Sequence, residues 1–227
     1  MEGHKKITNV NYRKILDKGE IKIVTDRDIE IALTKIKGKL RNMQRSFLLT
    51  LYLSGGRPVE VLELKGKDIT RWKQYVKIDL TTKKKGLPRS LLFYFNDPFA
   101  REVFNYSRSV IPEMYIFYPL RNKYVRKTIN KKGVEGYHIE ISDKIRYFFK
   151  KWFSHIEGGI TPYYLRHNRF SIMAMRGATD RQLRLMKGSR SNESINYYVH
   201  LSTANQRELA KLNKRDKVKE EKENEDN

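Results

Sequence analysis

The segment RPVEVLELKGKDITRWKQYVKIDLTTKKKGLPRSLLFYF, residues 57–95, changes its hydrophobic period midway, and that change decides the fold class. Pro58 follows Gly55, Gly56 and Arg57 and suits the first turn of a short helix, in which Val61 and Leu62 separate from the exposed lysines. Farther on, Val76, Ile78 and Leu80 alternate with Lys77 and Asp79, the two-residue period of a half-buried strand. KKKGLP breaks that strand with a turn and RSLLFYF supplies its antiparallel partner, so Lys83, Lys84 and Lys85 fall on or beside a hairpin tip.

Outward from the hairpin the pattern is helical. Upstream, Thr25 is the expected cap of a helix whose third residue is Asp28, with Ile29, Leu33 and Ile36 as its buried stripe and Gly38 as its end. Met43, Phe47, Leu48 and Leu51 mark a second helix closing at Gly55 and Gly56. Downstream, residues 98–118 read as helix plus turn, and residues 121–142 as a basic, glycine-punctuated loop or short irregular elements. Ser142 is the expected cap of a helix that buries Ile145, Phe148, Phe149 and Trp152 and ends at Gly158 and Gly159. Three more helices are expected, over about 162–176, 179–187 and 192–200. Residues 1–24 read as a basic arm, extended or a short hairpin. Residues 205–227 read as a charged tail, helical at most at its start. The expected class is therefore mainly α with a small antiparallel β-hairpin or three-stranded sheet.

The chain has 227 residues, enough for one domain with a sizeable core. Its hydrophobic fraction of 39% supports folding, while a net charge of +22 calls for solvent or a polyanion against much of the surface. Nucleic acid is the leading partner; an anionic membrane surface or a ribosome-associated role is the rival that charge alone leaves open. No stretch approaches the roughly 18 consecutive apolar residues of a membrane-spanning helix, and MEGHKKITNVNYRK lacks an apolar signal segment, so cytoplasmic residence is expected. Zero cysteines exclude disulfides, thiolate metal sites and cysteine nucleophiles. The histidines at 4, 138, 155, 167 and 200 form no local zinc pattern, and neither metal nor cofactor is expected.

Cleaving a phosphodiester with a hydroxyl requires a nucleophile, cationic donors at the nonbridging oxygens and an acid for the leaving oxygen. Arg57 at a helix start, Arg166 at the head of another helix, Lys84 at the hairpin and Tyr198 on a late helix are residue types that meet these needs without a metal. A guanidinium stays charged and offers phosphate a planar fork, each such donor contributing on the order of 3 kcal/mol in a transition state. A tyrosine near its reference pKa of about 10 needs adjacent positive charge to become a nucleophile. Tyr197 and Tyr198 point about 100 degrees apart around a helix, and periodicity does not choose between them.

The motifs SGGRPVEVLEL, TTKKKGLPR and YYLRHNRFSIMAMRGATDRQLRLMKGSRSNESINYYVHLS, in this order, resemble the boxes of the tyrosine recombinases, the phage-integrase and Xer family of DNA breaking and rejoining enzymes. The resemblance covers roughly residues 25–202 and implies that family's catalytic fold over a domain of residues 25–204. It implies Arg57 and Arg166 as the two catalytic arginines, Glu60 as the acidic companion of the first, and Tyr198 as the nucleophile, followed by His200. Counting back from Arg89 favours Lys84 as the hairpin lysine, with Lys83 and Lys85 as alternatives.

Two positions depart from the family pattern. Tyr163 stands where the family usually has histidine, a variant that resembles archaeal and archaeal-virus integrases; it can donate a hydrogen bond to phosphate but is a poor base at neutral pH. Ser189 follows Gly188 where histidine or tryptophan is common, and Lys187 beside it is a candidate phosphate contact. His167 faces another side of its helix from Arg166, which favours a structural role. Arg169, Lys123, Arg126, Lys127, Lys131 and Lys132 are further candidates for contacts to double-stranded DNA attachment sites. The resemblance also implies a monomer when free, a homo-tetramer on synapsed DNA and a C-terminal segment exchanged between subunits. Members of the family commonly carry an N-terminal core-binding domain; here residues 1–24 alone precede the pattern, which fits a minimal recombinase or a catalytic fragment. A noncatalytic DNA-binding protein on the same fold and a type IB topoisomerase-like relaxing enzyme are the alternatives.

Overall fold

A computed structural model describes residues 23–81, 87–121 and 142–189, and the backbone of two strands at 125–129 and 135–139. Chain order is α1 (Asp26–Thr34), α2 (Arg41–Ser54), α3 (Pro58–Leu62), β1 (Ile69–Trp72), β2 (Tyr75–Leu80), β3 (Arg89–Tyr94), α4 (Pro98–Arg108), β4 (Val125–Ile129), β5 (Glu135–Ile139), α5 (Asp143–Trp152), α6 (Pro162–Met175) and α7 (Asp180–Lys187). Short 3-10 turns lie at Gly66–Asp68 and Tyr118–Leu120. The fold is thus mainly helical with a three-stranded antiparallel sheet in the order β1-β2-β3.

The core is organised around α2. Phe47, Leu48, Leu49 and Leu51 are fully buried, as are Ser46, Thr50 and Ser54 on the same helix. A helix buried on all sides belongs at the centre of a domain, and α2 packs against α4, α6 and α3. Two of its buried hydroxyls are satisfied locally: Thr50 donates to the Ser46 carbonyl at 2.7 Å and Ser54 to the Thr50 carbonyl at 2.6 Å.

The capping box expected at the start of α1 is present: Thr25 Oγ1 accepts from the Asp28 N–H at 3.3 Å, and Asp28 Oδ2 accepts from the Thr25 N–H at 2.8 Å. Just before it, the Asn168 side chain of α6 both accepts from the Val24 N–H and donates to the Val24 carbonyl, each at 2.9 Å. One buried amide therefore joins the first described residues to a helix 144 positions away. Ser142 caps α5 as expected, and Ile145, Phe149 and Trp152 are buried.

The β pattern holds with two refinements. The alternating run divides at Lys73, whose positive φ of 54° makes the turn between β1 and β2. Val76, Ile78 and Leu80 then face the core, paired with Phe93, Leu91 and Arg89. The expectation of irregular structure over residues 121–142 is corrected: β4 and β5 pair antiparallel, Val125 opposite Ile139 and Ile129 opposite Glu135. Valine, threonine, isoleucine and tyrosine at 125, 128, 129, 137 and 139 are strand formers, and their preference prevails over the basic, glycine-containing context that suggested a loop. The expected helix over 192–200, the arm before residue 23 and the tail from 205 lie outside the described residues.

Candidate active site

The α2–α3 junction is built by its two glycines. Gly55 ends α2 in the left-handed region at φ 55°, a conformation that side chains with a Cβ rarely adopt. At Gly56 a Cβ would come within 2.9 Å of Val61 Cγ2 and 3.0 Å of Ser54 Oγ. The chain turns tightly here, Pro58 starts α3, and Arg57 sits at its N-cap.

Glu60, one turn into α3, is 1% exposed and is the hub of the site. Its Oε1 accepts from Arg57 Nη1 at 2.6 Å, while Oε2 accepts from the Arg57 backbone N–H at 2.9 Å and from Arg89 Nη2 at 2.8 Å. Arg166 Nη1 lies 3.9 Å from the same Oε2. Burial opposes ionisation of Glu60, but the charge and hydrogen bond of Arg89, then the hydrogen bonds from Arg57, hold its pKa below the usual carboxylate range. Three guanidiniums around one carboxylate leave the cluster with excess positive charge, and the Arg57 side chain keeps 28% of its surface open to solvent. That is the electrostatic demand of an anion such as a phosphodiester.

Arg166 is held from the other side. Thr161 caps α6 by accepting from the Tyr164 N–H at 3.2 Å, with Pro162 in the first turn. Arg166 then donates to the carbonyls of Gly55, at 2.6 Å, and Lys187, at 3.2 Å. Those residues cap or end α2 and α7, so one buried guanidinium answers the negative ends of two helices. Its carbon lies 4.9 Å from the centre of the Phe170 ring, and Lys187 Nζ lies 5.9 Å from the same ring. Burial, then Arg166 and Arg57, lower the Lys187 pKa to about 8. Lys187 thus shares the field of both arginines.

Tyr163, one turn before Arg166 side by side with the cluster, remains 38% exposed. Burial raises its pKa while Arg57 and Arg166 draw it down, and the net direction is upward, so at neutral pH its hydroxyl is a donor. His167 is pushed down to about 4 by burial and by the charges of Lys187 and Arg166, and is therefore a neutral imidazole near pH 7. Ser189 and Gly188 line a cleft of about 650 Å³ between β3 and α7, together with Arg89 and Arg184. The Leu87 N–H donates to the Gly188 carbonyl at 3.1 Å, tying the start of β3 to the end of α7.

Of the residues singled out in the sequence, Arg57, Glu60, Arg166, Tyr163 and Lys187 come together, with His167 and Ser189 at the edge. Arg169 is half-buried: its stem lies 3.1 Å from where a Cβ on Gly55 would stand, and its guanidinium is 5.9 Å from the Phe93 ring centre. Tyr198, His200, Lys83, Lys84, Lys85, Lys123, Lys131 and Lys132 lie outside the described residues, and Arg126 and Lys127 are described only as backbone of β4. Among the described residues no cluster of histidine, aspartate and glutamate could hold a metal, and no helix is long and apolar enough to cross a membrane.

Sequence reasoning used Arg89 only as a landmark, yet its partnership with Glu60 was signalled. The alternation that buries Leu91 on β3 puts Arg89 on the same buried face, where a charge needs a partner. Phe170, the ring under Arg166 and Lys187, carried no such signal, because an aromatic at helical spacing reads as core.

No protein-family model matches the chain, and no curated protein matches it in sequence. Solved structures do match in three dimensions. XerA recombinase aligns with a TM-score of 0.58 at 16% identity, over 85% of this chain and 64% of that one. XerH site-specific recombinase, bound to its difH substrate before cleavage, aligns at 0.55 and 17% identity, over 78% of this chain and 50% of that one. A transposon integrase in complex with circular-intermediate DNA aligns at 0.51 and 18% identity. This is the tyrosine-recombinase catalytic fold. The chain spans half to about two thirds of the length of those recombinases and integrases.

Proposed function

We propose that this protein is a site-specific DNA recombinase that cuts and rejoins strands through a 3′-phosphotyrosyl intermediate. The observation that carries the reading is the convergence of Arg57, Arg166 and Tyr163 around the Glu60 hub on this fold. The two arginines and the Tyr163 hydroxyl hold the nonbridging oxygens of the scissile phosphate, where charge accumulates during displacement. Tyr198 Oη forms the new bond to phosphorus as the bond to the 5′-oxygen breaks, and Lys84 gives that oxygen its proton. Lys83 and Lys85 are the alternatives for this last role. Because the phosphotyrosyl bond keeps the energy of the broken phosphodiester, a free 5′-hydroxyl can reverse the step on another strand.

Tyr163 cannot serve as histidine would, since its hydroxyl stays protonated near neutral pH. Loss of the Tyr198 proton then depends on the positive field of the arginines and Lys187. The partners of this reading are double-stranded attachment sites, a homo-tetramer on the synapsed DNA, a domain of residues 25–204 flanked by the arm at 1–24, and a tail from 205 exchanged between subunits. Tyr163 favours integration of an archaeal or archaeal-virus element as the setting.

Incubation with a nicked suicide DNA tests the chemistry. The wild-type chain should become covalently attached to a 3′-phosphate, and Tyr198→Phe should abolish attachment. Covalent product from Tyr198→Phe overturns the nucleophile assignment; a mobility shift without attachment by the wild type favours the noncatalytic DNA-binding alternative.

A further inference from the structure

Arg89 is an expensive residue where it stands. Its side chain is 4% exposed, it donates from Nη2 to Glu60 Oε2, and its buried Nε and Nη1 have no hydrogen-bond partner among the described residues. A buried guanidinium with unanswered donors costs more than an apolar side chain of similar size would. Stability alone therefore does not account for a charge at the start of β3.

Its contact explains what the charge does. A carboxylate rotates easily about its terminal bond, and Glu60 needs one fixed plane to serve Arg57 twice, Oε1 taking the guanidinium and Oε2 the backbone N–H. Arg89 reaches Oε2 from β3 and shares it with the Arg57 N–H, a second donor from a separate element that fixes that plane. It also contributes the largest share of the pull that keeps Glu60 ionised against burial. A protonated Glu60 would present a hydroxyl where Arg57 needs an acceptor. Among the described residues the groups facing this carboxylate are Arg57 from the α3 N-cap, Arg89 from β3, and Arg166 and Tyr163 from α6.

We infer that Arg89 is a positioning residue that acts through Glu60 to set the orientation of the Arg57 guanidinium toward a DNA phosphate. The inference rests on the functional reading above for its catalytic consequence, but not for the relay itself. Because β3 begins at Arg89, the same contact ties the start of β3 to α3.

The experiment compares Arg89→Met, Arg89→Lys, Arg57→Ala and the Arg57→Ala/Arg89→Met double variant of the full chain. Two readouts are taken: covalent trapping on the nicked DNA, and the Glu60 carboxyl titration followed by carbon-13 NMR. Arg89→Met should slow trapping by up to about 100-fold, the order of loss when a reacting group is displaced by about 1 Å. It should also raise the Glu60 pKa, so that the residual trapping rate climbs with pH as Glu60 ionises. Arg89→Lys should restore most of both. The double variant should be no slower than Arg57→Ala alone, because both changes remove one function. Losses that multiply in the double variant, or a folded Arg89→Met protein with unchanged Glu60 titration, overturn the inference. If the wild-type chain traps no DNA at all, the functional reading fails while the Glu60 titration still judges the relay.

Discussion

The protein holds the same pair of charges in two very different settings. Around Glu60 an arginine from β3 and the N-cap arginine of α3 are locked at 2.8 and 2.6 Å on a carboxylate with 1% exposure. At the surface Lys67 and Glu113 meet at 3.5 Å with about half or more of each side chain in water. Water screens the second pair and competes for its hydrogen bonds, so little is lost when it breaks. The first, in the buried Glu60–Arg89 contact, has no water to fall back on. Breaking it strands charges, which is why the buried cluster can be stiff enough to present Arg57 while the surface pairs only decorate the fold.

This contrast can be broken by mutation in graded steps. The largest effect is expected from Glu60→Ala, which leaves Arg89 and Arg57 without their acceptor and should cost about 3–5 kcal/mol in urea unfolding. A loss below about 1 kcal/mol would mean that the cluster is wetter than its geometry indicates. Next comes Asn168→Ala, which uncovers both the N–H and the carbonyl of buried Val24 and should cost about 1–3 kcal/mol by the same measurement.

A pH titration probes the cluster without removing a residue from it. His167 has its folded pKa depressed to about 4 from an ordinary 6.5, so the unfolded chain binds the proton more readily. Its contribution to stability is whole above pH 6.5 and is lost as pH falls toward 4. Unfolding midpoints measured across that window should drop for the wild type, and His167→Gln should flatten this part of the slope. A slope unchanged in His167→Gln would assign the acid sensitivity to other groups. The smallest effect belongs to the surface pair: Lys67→Ala should move stability by no more than about 0.5 kcal/mol, and that small change should vanish in high salt.

How far the site could be read in advance depended on which residues spoke through a local pattern. Thr25 with Asp28, Ser142 before an apolar stripe, and Pro58 after two glycines announced helix starts by chemistry that acts within one turn, and each was found. Arg57 and Arg166 were singled out by the resemblance to the recombinase boxes, with which the fit of a guanidinium to phosphate agrees, and the fold brings both to Glu60. The β4–β5 hairpin was missed because its strand formers are diluted by lysine and glycine, and backbone pairing is a property of two segments together. Arg89 was legible only as a charge on the buried face of a strand, a conflict whose resolution lay 29 residues away.

The sequence by itself determined the helical periods, the caps, the β alternation and the surplus of positive charge, since each depends on neighbours within a few positions or on composition alone. Only the tertiary structure decided that Arg166 bridges the ends of α2 and α7, that Asn168 clasps Val24, and that Glu60 is shared by three arginines. Those are contacts between elements far apart in the chain. Their strength comes from the exclusion of water, which no local stretch of residues can specify.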